Sequence, residues 1–339
     1  MKLKTFFKQL FCGEGNENVN KGEFSAKPKS EHPMLAPNEY RHDGNLSDQL
    51  ALLGAILGDI VGSSHELKGT RIKTTDFELF PETATYTDDT VMTVAVTKWL
   101  SQLNTIPKDA EGLVEIMKDF GIRYKEVGYG HSFKKWLNSD SPKPYGSFGN
   151  GSAMRVTAAG LFGQSLKDCQ NIARITAAVS HDHIEGIKGA QAVASAIRMA
   201  KCHYSKASIK TYIESKFNYN LSRTLDEIRP RYEFDPTCQG SVPEAIICFL
   251  ESTDLESAIR NAVSLGGDAD TQACIAGSIA GPYYGSMPEE FWEKIQTIIP
   301  EEFIKVLTEF VWANNDIAKT ICEDPRLDRH EICSKISEN

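Results

Sequence analysis

Apolar residues recur at helical spacing along almost the whole chain from residue 49 onward. A repeat of three to four residues is typical of helices that bury one face. Alternating strand patterns and Asn-Gly or Asp-Gly hairpin turns are scarce. The pattern therefore predicts one all-α domain over residues 49–325. Its predicted helices span 49–61, 90–104, 109–126, 168–179, 184–202, 206–217, 241–250, 254–263, 271–280, 288–298 and 301–318.

Several of these helices carry small residues on their packing faces. Examples are "GAILGDIVG" at 54–62, "GAQAVASAI" at 189–197 and "CIAGSIAGP" at 274–282. Small side chains let helix backbones approach closely, which favours a compact multi-helix bundle over a long coiled coil. For most of these positions tight packing is a sufficient explanation.

The two ends of the chain differ from this pattern. Residues 1–48 form an extension whose portion from residue 12 onward is rich in Gly, Asn, Pro, Lys and Glu, a composition that does not build a core. Before it, four apolar residues would share one face of a short helix. This face is either a frayed terminus or a partner-binding arm. Its residues are Phe6, Phe7, Leu10 and Phe11. Residues 326–339 form a polar, peripheral tail.

Composition excludes several classes of function. The chain has 339 residues with 37 basic and 46 acidic side chains, giving a net charge of −9 and a pI near 5.5. An acidic surface is a poor match for nucleic acid. The sequence also indicates no membrane partner, because no apolar run approaches the roughly 18 residues needed for a span. The N-terminal apolar run is interrupted by Lys8 and lacks a cleavage site, so it fails as a secretion signal.

The cysteines point to a reducing compartment. Eight cysteines are scattered without a C-x-x-C pair, which argues against a zinc knuckle or a redox pair. Scattered cysteines in a chain of this size are usually reduced core thiols, so we expect a cytoplasmic protein.

Two acidic clusters each precede an apolar helix. The first is "YTDDT" at 86–90 and the second is "LGGDADTQACIAG" at 265–277. Taken alone, each is an ordinary helix cap, since Asp and Thr accept hydrogen bonds from free N–H groups. An EF-hand does not fit the second cluster. Counting from Asp268, Ala273 and Ile279 occupy the positions that need Gly and Glu.

Together the clusters are better explained by metal binding. Each supplies more oxygen acceptors than one cap needs, and buried neighbouring carboxylates must protonate or find a cation. Carboxylate and hydroxyl oxygens suit Mg²⁺ rather than Zn²⁺. Four aspartates and Glu66 would carry roughly −5, which two divalent ions nearly neutralise. We therefore predict two Mg²⁺ ions, for which Mn²⁺ or Ca²⁺ could substitute. The aspartates are Asp88, Asp89, Asp268 and Asp270.

A glycine-rich loop, "YGSFGNGSAMR" at 145–155, could complement this centre. Successive glycines let backbone N–H groups face an anion, and a following helix start adds its dipole. Phe148 offers a flat face for a base or ribose. By itself this loop is weak evidence, and so is His181 in "VSHDHIEG".

Considered together, the motifs identify a resemblance. "GAILGDIVGSSHE", "YTDDTVMT", "GSFGNGSAMR", "SHDHIEG" and "LGGDADTQACIAGSIAG" resemble, in family order over residues 49–318, the ADP-ribosylglycohydrolases. The resemblance implies a compact orthogonal multi-helix bundle with a binuclear magnesium site. It also implies cleavage of the bond that joins ADP-ribose to a modified protein side chain.

The resemblance also implies a role for each site residue. Asp59 would support the metal ligands from behind, and Glu66 would be a mobile acidic residue that gates the metals. Glu66 or Asp268 would transfer protons as the catalytic acid or base. His181 would lie beside the distal ribose. The metal ligands would be Thr87, Asp88, Asp89, Asp268, Asp270 and Thr271, and the diphosphate and ribose would be held by Gly146, Ser147, Phe148, Gly149, Asn150, Gly151 and Ser152.

Three functions remain open at this point. The first is a magnesium-dependent hydrolase of ADP-ribosylated protein, with arginine as the expected acceptor. The second is a silent binding protein of the same fold, against which the complete set of motifs speaks. The third is a hydrolase of small ADP-ribosyl compounds or of O-linked, serine ADP-ribose. Because some relatives are immunity proteins, the N-terminal arm could also act as an antitoxin segment that blocks an ADP-ribosyltransferase toxin.

Overall fold

Fifteen helices build the part of the chain that the structure describes, residues 44–67 and 69–323 of a computed structural model. Within these residues the extended structure is limited to one antiparallel bridge between Gly149 and Thr237. The all-α prediction is therefore confirmed. The helices are α1 Gly44–Ser63, α2 Asp88–Ser101, α3 Leu113–Arg123, α4 His131–Leu137, α5 Gly151–Met154, α6 Thr157–Phe162, α7 Leu166–Ala178, α8 Ile184–Lys201, α9 Lys206–Phe217, α10 Leu225–Ile228, α11 Cys238–Leu250, α12 Leu255–Val263, α13 Ala269–Tyr284, α14 Glu289–Ile298 and α15 Glu301–Glu323.

The packing of α1 against α13 forms the centre of the fold. Gly54 faces Gly277, and Gly58 faces Ala273, with backbone against backbone. A Cβ on Gly54 or Gly58 would collide with the carbonyl opposite. Because one residue number rises along the contact as the other falls, the two helices are antiparallel. The small-residue pattern in the sequence therefore reflects this close approach.

This crossing also carries the chemistry of both helices to the same end. Towards the C-terminus of α1, Gly62 packs on the backbone of Ala269 and Asp270 at the start of α13. Asp59, one turn earlier in α1, is fully buried. Glu66 follows α1 by three residues. The two acidic regions of the sequence thus meet because the helix ends that carry them meet.

Helix boundaries differ from the predictions where local chemistry overrides periodicity. Helix α3 begins at Leu113 rather than 109, because Gly112 before it has a left-handed φ of 76°. Helix α7 begins at Leu166, two residues early, where Ser165 and Asp168 form a capping box. Three short helices, α4, α6 and α10, were not predicted, since four to seven residues span too few turns to establish a period. A helix was expected after the glycine-rich loop, and α5 is that helix, with four residues.

Helix α1 begins at Gly44, before the domain boundary predicted after residue 48. Its window Leu46–Ser63 is long and apolar enough to cross a membrane by length and composition, which corrects the expectation that no such run exists. In the fold 83% of that window is buried, because α1 packs at the centre of the core. The predicted arm residues Phe6, Phe7, Leu10 and Phe11, and the tail 326–339, lie outside the described residues.

Candidate metal and substrate site

Asp59 organises the start of α2. Its two carboxylate oxygens accept hydrogen bonds from the backbone N–H and hydroxyl of Thr87, at 2.9 and 2.6 Å, and from the N–H and hydroxyl of Thr90. Thr87 in turn caps α2 by accepting from the N–H of Asp89 at 3.3 Å. One buried carboxylate on α1 thus fixes where the first acidic cluster lies.

The start of α13 completes the cluster from the opposite side. The Thr271 hydroxyl donates to Asp89 Oδ2 at 3.2 Å, so the two sequence motifs are in direct contact. Carboxylate oxygens of Asp59, Asp89 and Asp270 all lie within 4.8 Å of one another. A second trio, Glu66, Asp268 and Asp270, meets the same limit, and Asp270 belongs to both.

The electrostatics of the cluster are unfavourable without a cation. Burial raises the pKa of Asp89 and Asp270 well above the ordinary value, and the neighbouring carboxylates raise it further. Burial also raises the pKa of Asp268, although the Asn150 amide opposes this by donating to Asp268 at 2.6 Å. For half-buried Glu66, burial and the charge of Asp268 raise the pKa. The site therefore favours either protons or positive ions.

The donor set fits hard divalent cations. Carboxylate and hydroxyl oxygens, without sulfur or imidazole in either trio, are the ligands that Mg²⁺ and Ca²⁺ prefer. Asp89 Oδ1 is buried and has no hydrogen-bond partner among the residues that the structure describes. Buried polar atoms are normally paired, so this oxygen is available to a ligand such as a cation. Two trios that share Asp270 are compatible with two ions held side by side.

Asp88 differs from its neighbour in the first cluster. It is half-buried, and its oxygens are in neither trio. One of them would lie 3.3 Å from a Cβ placed on Gly128, and its backbone N–H donates to Val127. Burial and the charges of Asp59 and Asp268 raise the pKa of Asp88 to about 8. Asp88 therefore feels the cluster electrostatically while lying at its edge.

The glycine-rich loop lies against this cluster through Asn150. That side chain donates to Asp268 and to Ser241, which ties the loop to both α13 and α11. Of the amides in 146–152 that were expected to face the diphosphate, those of Gly146, Gly149 and Asn150 already donate within the protein. The row of anion-facing amides is accordingly shorter than the sequence suggested. The helix that follows, α5, has only four residues and adds little dipole.

The remaining substrate candidates are Phe148, His181 and Ser152. Phe148 is 44% exposed, with its ring edge-to-face against His183 at 5.3 Å between centroids. His181 is buried beneath the loop, where a Cβ placed on Gly151 would lie 3.2 Å from Nε2. Burial and the Arg155 charge lower the pKa of His181 well below its ordinary value. Ser152 is buried and donates to the carbonyl of Gly186 at 2.8 Å.

Three contributions to the site were not predicted from the sequence. Arg155 is a buried guanidinium below the loop, Asn150 is a direct partner of Asp268, and Arg71 donates to the carbonyl of Glu66 at 2.9 Å. A charged residue directly after "GNGSAM" was a signal for Arg155. Arg71 lies in an irregular segment without a motif, and nothing in its sequence surroundings indicated the contact.

Comparisons with known proteins agree on one family. A family model described as ADP-ribosylglycohydrolase matches residues 49–322. ADP-ribosylhydrolase ARH3 from Mus musculus is 29% identical, with 72% of this chain and 85% of that protein covered, and the Homo sapiens protein is 29% identical, with 72% and 87% covered. A solved structure titled "ADP-ribosylglycohydrolase-related protein complex" has a TM-score of 0.59 at 22% identity, covering 79% of this chain and 99% of that one. The last similarity supports the fold.

Proposed function

The protein belongs to the ADP-ribosylglycohydrolase family and is a hydrolase of ADP-ribose glycosidic bonds, and from this premise we propose that it removes ADP-ribose from modified protein side chains with the help of two Mg²⁺ ions. The observation that carries the proposal is the pair of carboxylate trios that share Asp270. Buried carboxylates at this density need positive charge, and the diphosphate of ADP-ribose cannot supply it.

The metal ligands would come from both clusters. Asp89, Asp268 and Asp270 supply carboxylates, and the orphan oxygen of Asp89 supports this role. The hydroxyls of Thr87 and Thr271 lie in the same cluster through their bonds to Asp59 and Asp89, and Asp88 at the edge completes the proposed set. Asp59 is already the acceptor of four hydrogen bonds, so we assign it to orienting the α2 start, which leaves Asp89 and Asp270 as the proposed ligands from the first trio. Bound divalent ions would supply Lewis acidity at the ribose.

Glu66 is the better candidate for moving protons. Asp268 is 6% exposed and accepts from Asn150, whereas Glu66 is half-buried just beyond α1. Cleavage breaks the bond between the anomeric carbon and the acceptor atom, and water adds to that carbon through an oxocarbenium-like transition state. Glu66 would take one proton from the water and pass it to the leaving group, so that Glu66 ends in its starting state.

The loop side of the site would hold the rest of ADP-ribose. Phe148 offers an exposed ring for stacking on the base or ribose. The N–H groups of Ser147, Phe148, Gly151 and Ser152 remain the proposed contacts for diphosphate, and Gly146, Gly149 and Asn150 shape the loop that presents them. This division follows from the internal bonds already made by the latter three amides.

The acceptor linkage has two candidates. Arginine is the acceptor expected from the sequence, and a site with six clustered carboxylates suits a cationic guanidinium leaving group. An O-glycosidic bond to serine is the second candidate, and the similarity to the ADP-ribosylhydrolase ARH3 proteins favours it. Matched peptides that carry ADP-ribose on arginine or on serine decide between them.

One assay tests metal dependence and linkage together. ADP-ribose release from each peptide is followed with Mg²⁺, with EDTA, and after Mg²⁺ is added back. We expect release from one peptide with Mg²⁺, none with EDTA, and recovery on addition. Activity that is unchanged in EDTA would exclude the two-metal proposal. Binding of ADP-ribose without release from either peptide would instead favour a silent binding protein, and release from free ADP-ribosyl compounds alone would favour a small-molecule hydrolase.

The N-terminal extension is proposed as a separate, partner-binding arm. Its aromatic face would bind a protein, with an ADP-ribosyltransferase toxin as the specific candidate for an immunity role. Because α1 begins at Gly44, the test deletes residues 1–41 and leaves that helix intact. Loss of toxin binding with full hydrolysis supports the arm. Loss of hydrolysis would assign the segment to the catalytic fold.

We also propose a cytoplasmic location. Cys169, Cys238, Cys248 and Cys274 are buried free thiols, as expected for a protein kept in a reducing compartment. Fractionation of cells that express a tagged full chain would test it, and recovery outside the cytoplasm would contradict it.

A further inference from the structure

Arg155 is a buried cation whose hydrogen-bond partners among residues 44–67 and 69–323 are all neutral. It is 1% exposed and donates to the carbonyls of Gly151 at 3.1 Å and Thr176 at 2.8 Å, and to the Ser180 hydroxyl at 2.9 Å. Burying a guanidinium without a carboxylate among its hydrogen-bond partners is costly. Burial lowers the pKa of Arg155 to about 10, and the charge of Asp88 offsets this only in part, so the position calls for a role beyond packing. Its place directly below the glycine-rich loop connects it with the substrate side of the site.

Ser180 links this cation to His181. The fully buried Ser180 Oγ lies 2.8 Å from His181 Nδ1, and within residues 44–67 and 69–323 its two partners are that nitrogen and the guanidinium. A guanidinium has donors and no acceptor, so Ser180 Oγ must accept from Arg155. The single hydroxyl proton then has one acceptor within reach, which is His181 Nδ1.

The donor-to-acceptor direction of the hydrogen bonds from Arg155 through Ser180 to His181 determines which imidazole nitrogen carries the proton. If Nδ1 carried a proton and donated to Ser180, the hydroxyl proton would be left buried without a partner, which folded proteins avoid. A positively charged imidazole would also face Arg155 in a dry environment, and both burial and that charge lower the pKa of His181. The neutral ring with its proton on Nε2 satisfies every group.

The remaining imidazole nitrogen, His181 Nε2, faces the glycine-rich loop. A Cβ placed on Gly151 or Gly149 would lie 3.2 or 3.6 Å from Nε2. In the described part of the chain, Nε2 itself makes no hydrogen bond. A neutral donor N–H therefore lies beside the loop on which ADP-ribose is proposed to bind, without an acceptor supplied by the protein.

We propose that Arg155 and Ser180 are positioning residues that hold His181 as the Nε2–H tautomer, so that this N–H donates to an oxygen of the ADP-ribose bound at the glycine-rich loop. The ligand in this inference rests on the proposed function, whereas the tautomer does not. Arg155 fixes the direction of these hydrogen bonds, because Ser180 must accept from Arg155 and can then donate only to His181. His181 is the group that would touch the substrate.

The tautomer is tested on the free full-length protein. Long-range ¹H–¹⁵N correlation spectra of ¹⁵N-histidine-labelled protein distinguish Nε2–H from Nδ1–H rings, and His181→Gln identifies the His181 signals by their loss. We expect the Nε2–H pattern in the natural chain and a mixed or Nδ1–H pattern in Ser180→Ala. An Nδ1–H or doubly protonated ring in the natural chain, or an unchanged pattern in Ser180→Ala, overturns the proposal.

The binding part is tested by calorimetry with ADP-ribose and ADP in Mg²⁺. We expect Ser180→Ala to weaken ADP-ribose binding about tenfold, as for one lost hydrogen bond. Weaker binding of ADP-ribose, with or without weaker binding of ADP, supports the contact with the ligand, and unchanged ADP-ribose binding overturns it. Ser195→Ala is the matched control, because Ser195 is a fully buried serine on α8 that donates to the carbonyl of Gln191 at 2.7 Å.

These readouts separate the inference from the proposed function. If neither peptide is hydrolysed, the tautomer in the free protein and its loss in Ser180→Ala still decide the role of Arg155 and Ser180. If Ser180→Ala unfolds, as its melting curve would reveal, Ser180→Cys keeps the size and a weak donor. Folded Ser180→Cys should then retain the Nε2–H pattern. Loss of that pattern would overturn the positioning role of Ser180.

Discussion

Thr271 donates its hydroxyl proton to Asp89 Oδ2 at 3.2 Å, across a separation of 182 residues in the chain. Each residue belongs to a helix start that would pass for an ordinary cap. The contact converts two caps into one cluster, because it holds the carboxylate of Asp89 beside that of Asp270. Several expected properties of the protein follow from how this cluster is built.

Replacing Asp270 should separate stability from activity. Burial and the charges of Asp268 and Asp89 raise the pKa of Asp270, so the folded protein resists its ionisation. Asp270→Asn removes that like-charge repulsion, and we expect it to melt higher than the natural protein in EDTA at pH 8. With Mg²⁺ it should gain no further stability, and hydrolysis should fall at least about 100-fold.

Differential scanning fluorimetry with EDTA and with Mg²⁺ checks both halves of this expectation. Asp76→Asn is the control, since Asp76 is exposed and lies outside both trios. A variant at Asp270 that Mg²⁺ still stabilises as much as the natural protein would contradict the role given to both trios.

Asp59 should contribute more to the stability of the fold than to the charge of the carboxylate cluster. Its carboxylate accepts four hydrogen bonds from Thr87 and Thr90. Asp59→Asn keeps the shape but turns one oxygen into a donor that faces other donors. We expect a loss of about 2–4 kcal/mol in unfolding free energy, measured by urea titration in EDTA. Asp109→Asn, at an exposed position, should change it by less than about 0.5 kcal/mol. Equal stability of the two variants would contradict this account of the α2 start.

The long helices and the contact between the two acidic clusters could be predicted from the sequence. The role of each residue within the clusters could not be predicted as reliably. Long helices such as α8 and α13 have several turns of apolar repeat, and their existence follows from periodicity. The charge count predicted that "TDDT" and "DADT" share cations, and Asp89 and Asp270 do lie together. What the pattern could not predict was which of two adjacent aspartates faces the partner cluster.

That choice depends on one hydrogen-bonded helix start. Because Thr87 is held by Asp59 and caps α2, Asp89 lies inside the first turn and Asp88 lies at the edge. Adjacent helical residues point about 100° apart, so the rotation of that start about its axis decides which aspartate faces the cluster, and the sequence pattern does not encode it. Arg155 was missed for a similar reason, since a charged residue after a loop is usually exposed and its burial depends on α7 and His181.

The approach of α1 to α13 should tolerate no extra atom at its centre. A Cβ on Gly58 would collide with the backbone of Ala273, which cannot move without shifting α13 and the carboxylate cluster at its start. Gly58→Ala gains about 1 kcal/mol in helix propensity but should still lose at least about 2 kcal/mol overall through overpacking. Chemical denaturation measures the loss. Gly130→Ala is the matched control, because Gly130 has open space around it and a φ of −59°. Equal stability of both variants would refute the close crossing.

The buried imidazole of His181 should make stability depend on pH in one direction. Its pKa is lowered in the folded protein by burial and by Arg155, while the unfolded chain takes up a proton below about pH 6.5. The unfolded state therefore gains protons as the pH falls, so this stabilisation is present above pH 6.5 and is lost below it. Between pH 7.5 and 5.5 the loss should be on the order of 1 kcal/mol. Over that range, His181→Gln should lose less unfolding free energy than the natural protein, by that same amount, in urea titrations at both pH values. His131→Gln, at an exposed position, is the control and should follow the natural protein. Identical pH slopes for the natural protein and His181→Gln would mean that the folded and unfolded states bind the His181 proton equally.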